Sequence, residues 1–207
     1  SAKLTSIKLI GVAGLCSGAG TTQMCIMLAV FMGKVLKKKT AVAGDEVTYS
    51  LMLRQMQKAS AIQHKGIASR HAYSMDGIDY YCGIRDEDIG ILRQKYDVII
   101  LDISFENTFD NTNVTFARMV SRLSACDEKI LAGSMLPWKS RECEKKMERI
   151  ERFLDIRGLK MVTLAACDKE AVSIIKKHGV EVVLIPFERN PFVISGENLR
   201  SFLELLK

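Results

Sequence analysis

GLCSGAGTTQ, residues Gly14 to Gln23, decides how this chain is read. It follows an unbroken apolar run, SIKLIGVAG (6–14), and leads into TQMCIMLAVFMGKVLKKK (22–39), whose apolar residues surround the helical axis on nearly every side. The pattern predicts a buried strand, a glycine turn and a buried helix, in that order. Such a turn gathers backbone N–H groups and the positive end of a helix dipole beyond the end of a strand, where an anion binds. The candidate phosphate-binding residues are therefore Ser17, Gly18, Ala19, Gly20, Thr21 and Thr22. The loop contains no lysine.

Outward from the loop, short β-type runs alternate with segments of helical period. TAVAG (40–44), GIDYYCGI (77–84), YDVIILDIS (96–104), EKILAGSM (128–135), MVTLAAC (161–167) and VEVVLIPF (180–187) read as strands. LMLRQMQKA (51–59), DEDIGILRQ (86–94), VTFARMVSRLSA (114–125), SRECEKKMERIERFLDI (140–156) and KEAVSIIKKHG (169–179) read as helices, the last capped by Asp168 and closed by Gly179. SGENLRSFLELLK (195–207) closes the chain as a helix, with Leu199, Phe202, Leu203 and Leu206 expected on one face. Continuous apolar strands separated by helices predict an α/β fold, a three-layer α/β/α sandwich with a mostly parallel sheet. At 207 residues the expectation is a single domain over 1–207, with Ala59 to Met75 a long loop or a partly helical excursion.

Composition narrows the class. The longest apolar runs, such as VIIL (98–101), are too short to cross a bilayer, and no signal-peptide order opens the sequence. A cytoplasmic protein is expected. Six cysteines, Cys16, Cys25, Cys82, Cys126, Cys143 and Cys167, form no CxxC pair and read as reduced core thiols, which argues against zinc. A net charge of +6 spread over the whole chain is weak support for an acidic partner.

A full phosphate loop reads G-x-x-x-x-G-K-[ST]. With Gly20 as its second glycine, Leu15 stands at the first glycine, Thr21 at the lysine and Thr22 at the metal-binding hydroxyl. GLCSGAGTT resembles the deviant loop of the MinD/ParA family of P-loop ATPases, K-G-G-x-G-K-[ST]-T. Cys16 replaces that family's signature lysine and Thr21 the general one. KYDVIILDIS is similar to the family's Walker B strand, YDxIIIDxP, and puts Asp102 at the magnesium-associated aspartate. LIPFERNPF (184–192) is similar to the late strand and proline turn beside the base, which makes Pro186 a nucleotide contact. The likeness covers most of the chain and is nearest in style to CpaE-type members associated with pilus assembly and secretion. It implies a P-loop NTPase-like fold, ATP or ADP with Mg2+ held by Thr22 and Asp102, and a protein partner or second copy meeting the loop face.

The departures from the family shape the functional expectation. A missing loop cation removes charge stabilisation worth several kcal/mol in phosphoryl transfer, so hydrolysis is expected to be slow or absent and no catalytic residue is assigned. Lys37 to Lys39 stand at the far end of the first helix, about 25 Å away by helical rise. Arg85 or Lys139, after later strands, are the candidates to replace the charge, while Asp45 and Glu46 read as a solvated turn. The loop is then either a retained phosphate site or a turn that has outlived its ligand, in which case no cofactor binds.

The leading expectation is a regulatory or scaffolding protein with weak or no ATPase activity. The alternatives are an ATP-dependent dimerising switch with its cation from elsewhere, and a DNA- or membrane-bound positioning factor. Nucleic acid is disfavoured because the charged helix 139–152 mixes both signs without aromatic residues. Peripheral membrane contact is disfavoured because the last helix has few cations. Trp138 is expected as a half-buried anchor beside Pro137, with partner contact or base stacking as its other reading, and His64, His71 and His178 show no triad spacing.

Overall fold

The computed structural model describes residues 9–44, 46–54, 56, 59–63, 66–67, 71–103, 113–164 and 168–207. Asp45, His64, Cys167 and the start of the first predicted strand lie outside the described residues, as does the side chain of Glu46. The strands are β1 (Leu9–Gly14), β2 (Thr40–Gly44), β3 (Ser60–Ala61), β4 (His71–Met75), β5 (Ile78–Cys82), β6 (Val98–Ile103), β7 (Glu128–Ala132), β8 (Lys160–Thr163) and β9 (Glu181–Leu184). They form one sheet in the order β3-β4-β5-β2-β6-β1-β7-β8-β9. From β5 to β9 every pairing is parallel, and β4 and β3 extend the sheet antiparallel.

Seven helices accompany them among the described residues: α1 (Thr21–Val30), α2 (Glu46–Arg54), α3 (Asp86–Lys95), α4 (Asn113–Ser124), α5 (Pro137–Glu151), α6 (Lys169–Lys176) and α7 (Gly196–Leu205). Strands β1 and β6 are buried at every position, as parallel strands covered on both faces must be. Given this strand order, the right-handed crossover that parallel strands adopt sets α1 on one face of the sheet and α3, α4, α5 and α6 on the other. The layered, mostly parallel architecture expected from the sequence is the one observed.

Three local differences have physical causes. Residues 60–61 and 71–75 are strands, not helical, and the hairpin from β4 to β5 turns through Asp76 (φ 53) and Gly77 (φ 78). Two positive φ angles in a two-residue loop are what an Asp-Gly hairpin turn requires. The first helix ends early, in a π-helical turn at Phe31–Val35 where Leu36 N donates to Phe31 O (3.1 Å), so Lys37 to Lys39 are not helical. Strand β9 stops at Leu184, because Pro186 has no N–H with which to continue the ladder.

The last helix packs inward through Phe202, Leu205 and Leu206, and Phe202 stacks on Phe31 with ring centroids 5.3 Å apart. Leu203, predicted on that apolar face, is exposed. Asp168 and Ser195 cap their helices by accepting from Ala171 N (3.0 Å) and Asn198 N (3.3 Å). No helix among the described residues is long and apolar enough to cross a membrane.

Candidate functional site

The chain leaves β1 to build β2 on one side, while β7 lies on the other, so the turn after β1 stands at the switch point where ligands bind in open α/β sheets. Leu15 N donates to Ala132 O (2.8 Å), extending the pairing with β7 by one residue before the chain turns. Gly18 (φ +73) and Gly20 (φ +78) adopt the left-handed conformation that the turn demands. Gly20 also leaves room for Leu164, whose Cδ1 would lie 2.5 Å from any Cβ placed there. It is the N-cap of α1 and offers no side-chain cap, so the first-turn N–H groups of α1 face outward without one.

Thr21 and Thr22, adjacent in sequence, point to different fates. Thr21, at the lysine position, is 7% exposed and turns back on Gly14, where a Cβ would meet Thr21 Oγ1 at 2.7 Å. Thr22 Oγ1 donates to Asp102 Oδ2 (2.8 Å), joining the predicted metal pair across 80 residues of sequence. Asp102 is 4% exposed, and its register opposite Val12 sets it near the carboxyl end of the central strands. Tyr49 of α2, which the sequence reading missed, donates its hydroxyl to the same Oδ2 (2.9 Å). Burial, reinforced by the Asp102 charge, pushes Tyr49 and Cys25 well above their ordinary ranges and keeps both protonated.

On the other flank, α5 reaches the loop. Ser17 N donates to Glu142 Oε1 (3.2 Å), and Lys139 Nζ donates to Glu142 Oε2 (3.2 Å). The neighbouring Cys143 is the first cause of the fall of the Cys16 thiol from an ordinary 9.0 to about 7; burial opposes, and Ser134 and Lys139 assist. Cys143, whose Sγ donates to Ser134 O (3.8 Å), moves in the opposite direction because of the neighbouring Cys16 and its own burial. Lys146 is lowered to about 8, chiefly by burial, with Glu142 and the two thiols pulling it back up. Of the two candidates for a replacement cation, Lys139 stands by the loop, whereas Arg85 is engaged with Glu87 (2.9 Å) and Asp88 (3.7 Å) at the start of α3. Trp138, expected half-buried, is 73% exposed in the first turn of α5.

The segment after β9 also returns to the loop. Gln23 Nε2 donates to Glu188 O (2.6 Å), and Glu188 Oε1 accepts from Ser195 N (3.2 Å) and Asn198 Nδ2 (2.9 Å). Pro186, half-buried two residues earlier, is thus held on the strand end that faces α1. His71 and His178 are occupied by Arg54 and Glu151 and share no site.

A hydroxyl and a carboxylate joined at 2.8 Å suit a hard cation that keeps waters and takes phosphate oxygens as its other ligands. Among the described residues no three His, Cys, Asp or Glu groups form an all-protein metal cage. The residues present therefore fit a magnesium–phosphate ion pair better than a bare metal. The Glu142 carboxylate on Ser17 N would have to yield, since one amide cannot serve two anions.

Neither a family model nor a curated protein matches the sequence. Solved structures do. The MinC:MinD cell division protein complex of Aquifex aeolicus aligns with a TM-score of 0.64 at 14% identity, covering 96% of this chain and 94% of that one. MinD complexed with Mg-ADP from Pyrococcus horikoshii OT3 gives 0.59 at 14% identity, over 96% and 94%. A ParA family ATPase from Chlorobium tepidum TLS gives 0.63 at 12% identity, over 97% and 99%. At these identities the likeness is one of fold: the chain has the P-loop NTPase architecture of MinD and ParA proteins.

Proposed function

We propose that this protein is a regulatory or scaffolding member of the MinD/ParA type, which holds a magnesium nucleotide at its loop with little or no turnover and offers the loop face to a protein partner or second copy. The observation that carries the reading is the divergence of Thr21 and Thr22. Thr22 stays in its pair with Asp102, the part of the site that binds metal and phosphate. Thr21 is buried against Gly14, so the position that would bring a cation to the transferring phosphate contributes none. The Mg-ADP complex of the Pyrococcus MinD and the MinC:MinD complex support nucleotide and partner binding by analogy of fold. Exposed Trp138 and Phe187, each following an element that ends near the loop, suit protein contact. Pilus assembly, secretion or cell positioning is the setting in which the CpaE-type resemblance puts such a protein.

Calorimetric titration of ATP and ADP with magnesium tests the reading. Micromolar binding that Thr22→Ala abolishes, without phosphate release, is the expected result; no binding at millimolar nucleotide would sink it. Thr21→Lys should tighten binding if the rest of the cradle is open. A second reading, an active switch with its cation from an unconventional place, is favoured by Lys139 and Lys146 beside the loop. Steady ATP hydrolysis lost in Lys139→Ala would select it.

A further inference from the structure

We propose that the cleft between α4 and the end of α5 binds a small organic anion, a carboxylate joined to a compact apolar body. The cleft has a volume of about 500 Å3; Phe116, Val120 and Ser121 line it from α4, and Arg149, Arg152 and Phe153 from the other side. Positions 116 and 120, like 149 and 153, are four apart, so each set shares one face of its helix. Phe153 N donates to Ile150 O (2.9 Å), a tightened turn that ends α5. Its ring meets Phe116 edge-on, with centroids 6.0 Å apart and planes at 61°. Phe116 is buried and forms the floor, whereas Phe153 is 69% exposed, a large apolar surface left in water.

The charge on this cleft is one-sided. The Arg149 guanidinium lies over the Phe116 ring, 4.2 Å from its centroid. Such stacking occupies the face of the guanidinium and leaves its edge of N–H donors for another group. Among the described residues neither Arg149 nor Arg152 has a carboxylate or hydrogen-bond partner, and no acidic side chain lines the cleft. Carboxylates of the adjoining segments are engaged elsewhere: Glu151 with His178 (3.0 Å), Asp155 with Arg157 (2.9 Å) and Asp86 with Arg122 (2.6 Å). The mixed signs of helix 139–152 therefore do not cancel at its end. A planar carboxylate accepts paired N–H bonds from a guanidinium, and the apolar hollow takes the body attached to it. The volume lies within the ~300–1,000 Å3 of small-molecule sites that combine an apolar lining with a few polar groups. The lining spans little more than one turn of each helix, about 6–8 Å by helical rise, too short for the repeated anchors of a partner helix.

Lys139 and Glu142, which meet the loop, stand near the opposite end of α5, so this site does not depend on nucleotide binding there. The test titrates the full chain by calorimetry with 2-naphthoate, with the uncharged 2-naphthalenemethanol and with acetate. The expected result is saturable one-to-one binding of naphthoate below millimolar concentration, with no binding of acetate. The alcohol should bind roughly tenfold more weakly or worse, because it forfeits the charge-assisted bonds. Arg149→Gln combined with Arg152→Gln should lower naphthoate to the affinity of the alcohol and leave the alcohol unchanged. Phe153→Ala, a change at an exposed ring, should weaken both. The proposal is overturned if naphthoate fails to saturate at millimolar concentration, if acid and alcohol bind the wild type alike, or if the folded variants bind as the wild type does. Displacement of naphthoate by Mg-ATP would put the anion at the loop and equally overturn it. Sedimentation of the chain alone tests the other occupant: a dimer that Phe153→Ala dissociates would give the cleft to a second copy instead. Comparison of acid with alcohol on the wild type decides the matter even if a variant fails to fold.

Discussion

The two flanks of the loop are built from different chemistry. Toward β6, oxygen groups meet: Thr22 and Tyr49 both donate to Asp102, and the buried phenol ties the carboxylate to α2. Toward β7, buried thiols and exposed charge meet: Cys16 in the loop and Cys143 on α5, with Glu142 between Ser17 and Lys139. The first flank is continuous with the core; the second hangs on a surface helix. Groups on the first are tied into the core, so changing them is costly, whereas the charged pair on the second, Glu142 with Lys139, can change with little loss of stability.

Gly44→Ala is the most severe way to break that contrast. Its Cβ would collide with Cε2 of the Tyr49 ring, which is buried and cannot retreat while it holds Asp102. A loss of about 3 kcal/mol, a fall of roughly 6–12 °C in thermal midpoint, is expected. An unchanged midpoint would show that Tyr49 is not locked in place. Tyr49→Phe deletes only the hydroxyl and should cost about 1–2 kcal/mol in denaturant unfolding. A neutral result would mean that Asp102 keeps its partners without α2.

Acidity sharpens the contrast from the other flank. The Cys16 thiol ionises at about 7 in the folded chain against an ordinary 9.0, so between those values the folded chain binds fewer protons and gains stability as pH rises. That contribution is complete above 9.0 and lost as pH falls through about 7. The stability of the wild type relative to Cys16→Ser should therefore grow across this window. Parallel curves would remove the thiolate from the site. Glu142→Gln has the smallest expected effect on stability, under about 0.5 kcal/mol, because the group is exposed. It should nonetheless raise nucleotide affinity a few-fold by freeing Ser17 N, and weaker binding would show that Glu142 assists the site.

Much of the fold was legible because continuous apolar strands and helical periods announce a covered parallel sheet. Strands β3 and β4 were not, being short, polar and antiparallel; the available signal was Asp76-Gly77, a hairpin dipeptide overlooked in a mixed stretch. In the site, Thr22 and Asp102 were readable because one lies in a motif and the other ends the most apolar strand. Tyr49 and Glu142 carry no local mark. Their contacts span 53 and 125 residues and exist only because the sheet order brings distant strand ends together.

The bond from Gln23 to Glu188 joins the first turn of α1 to residues 165 positions downstream. A chain emerging from the ribosome makes β1 and α1 first, yet this tie to the loop cannot form until Glu188, 165 positions later, has been synthesised. The order of assembly thus delays the finished site until the sheet beneath it is complete, so a truncated or stalled chain would carry the loop sequence without the final brace that holds it.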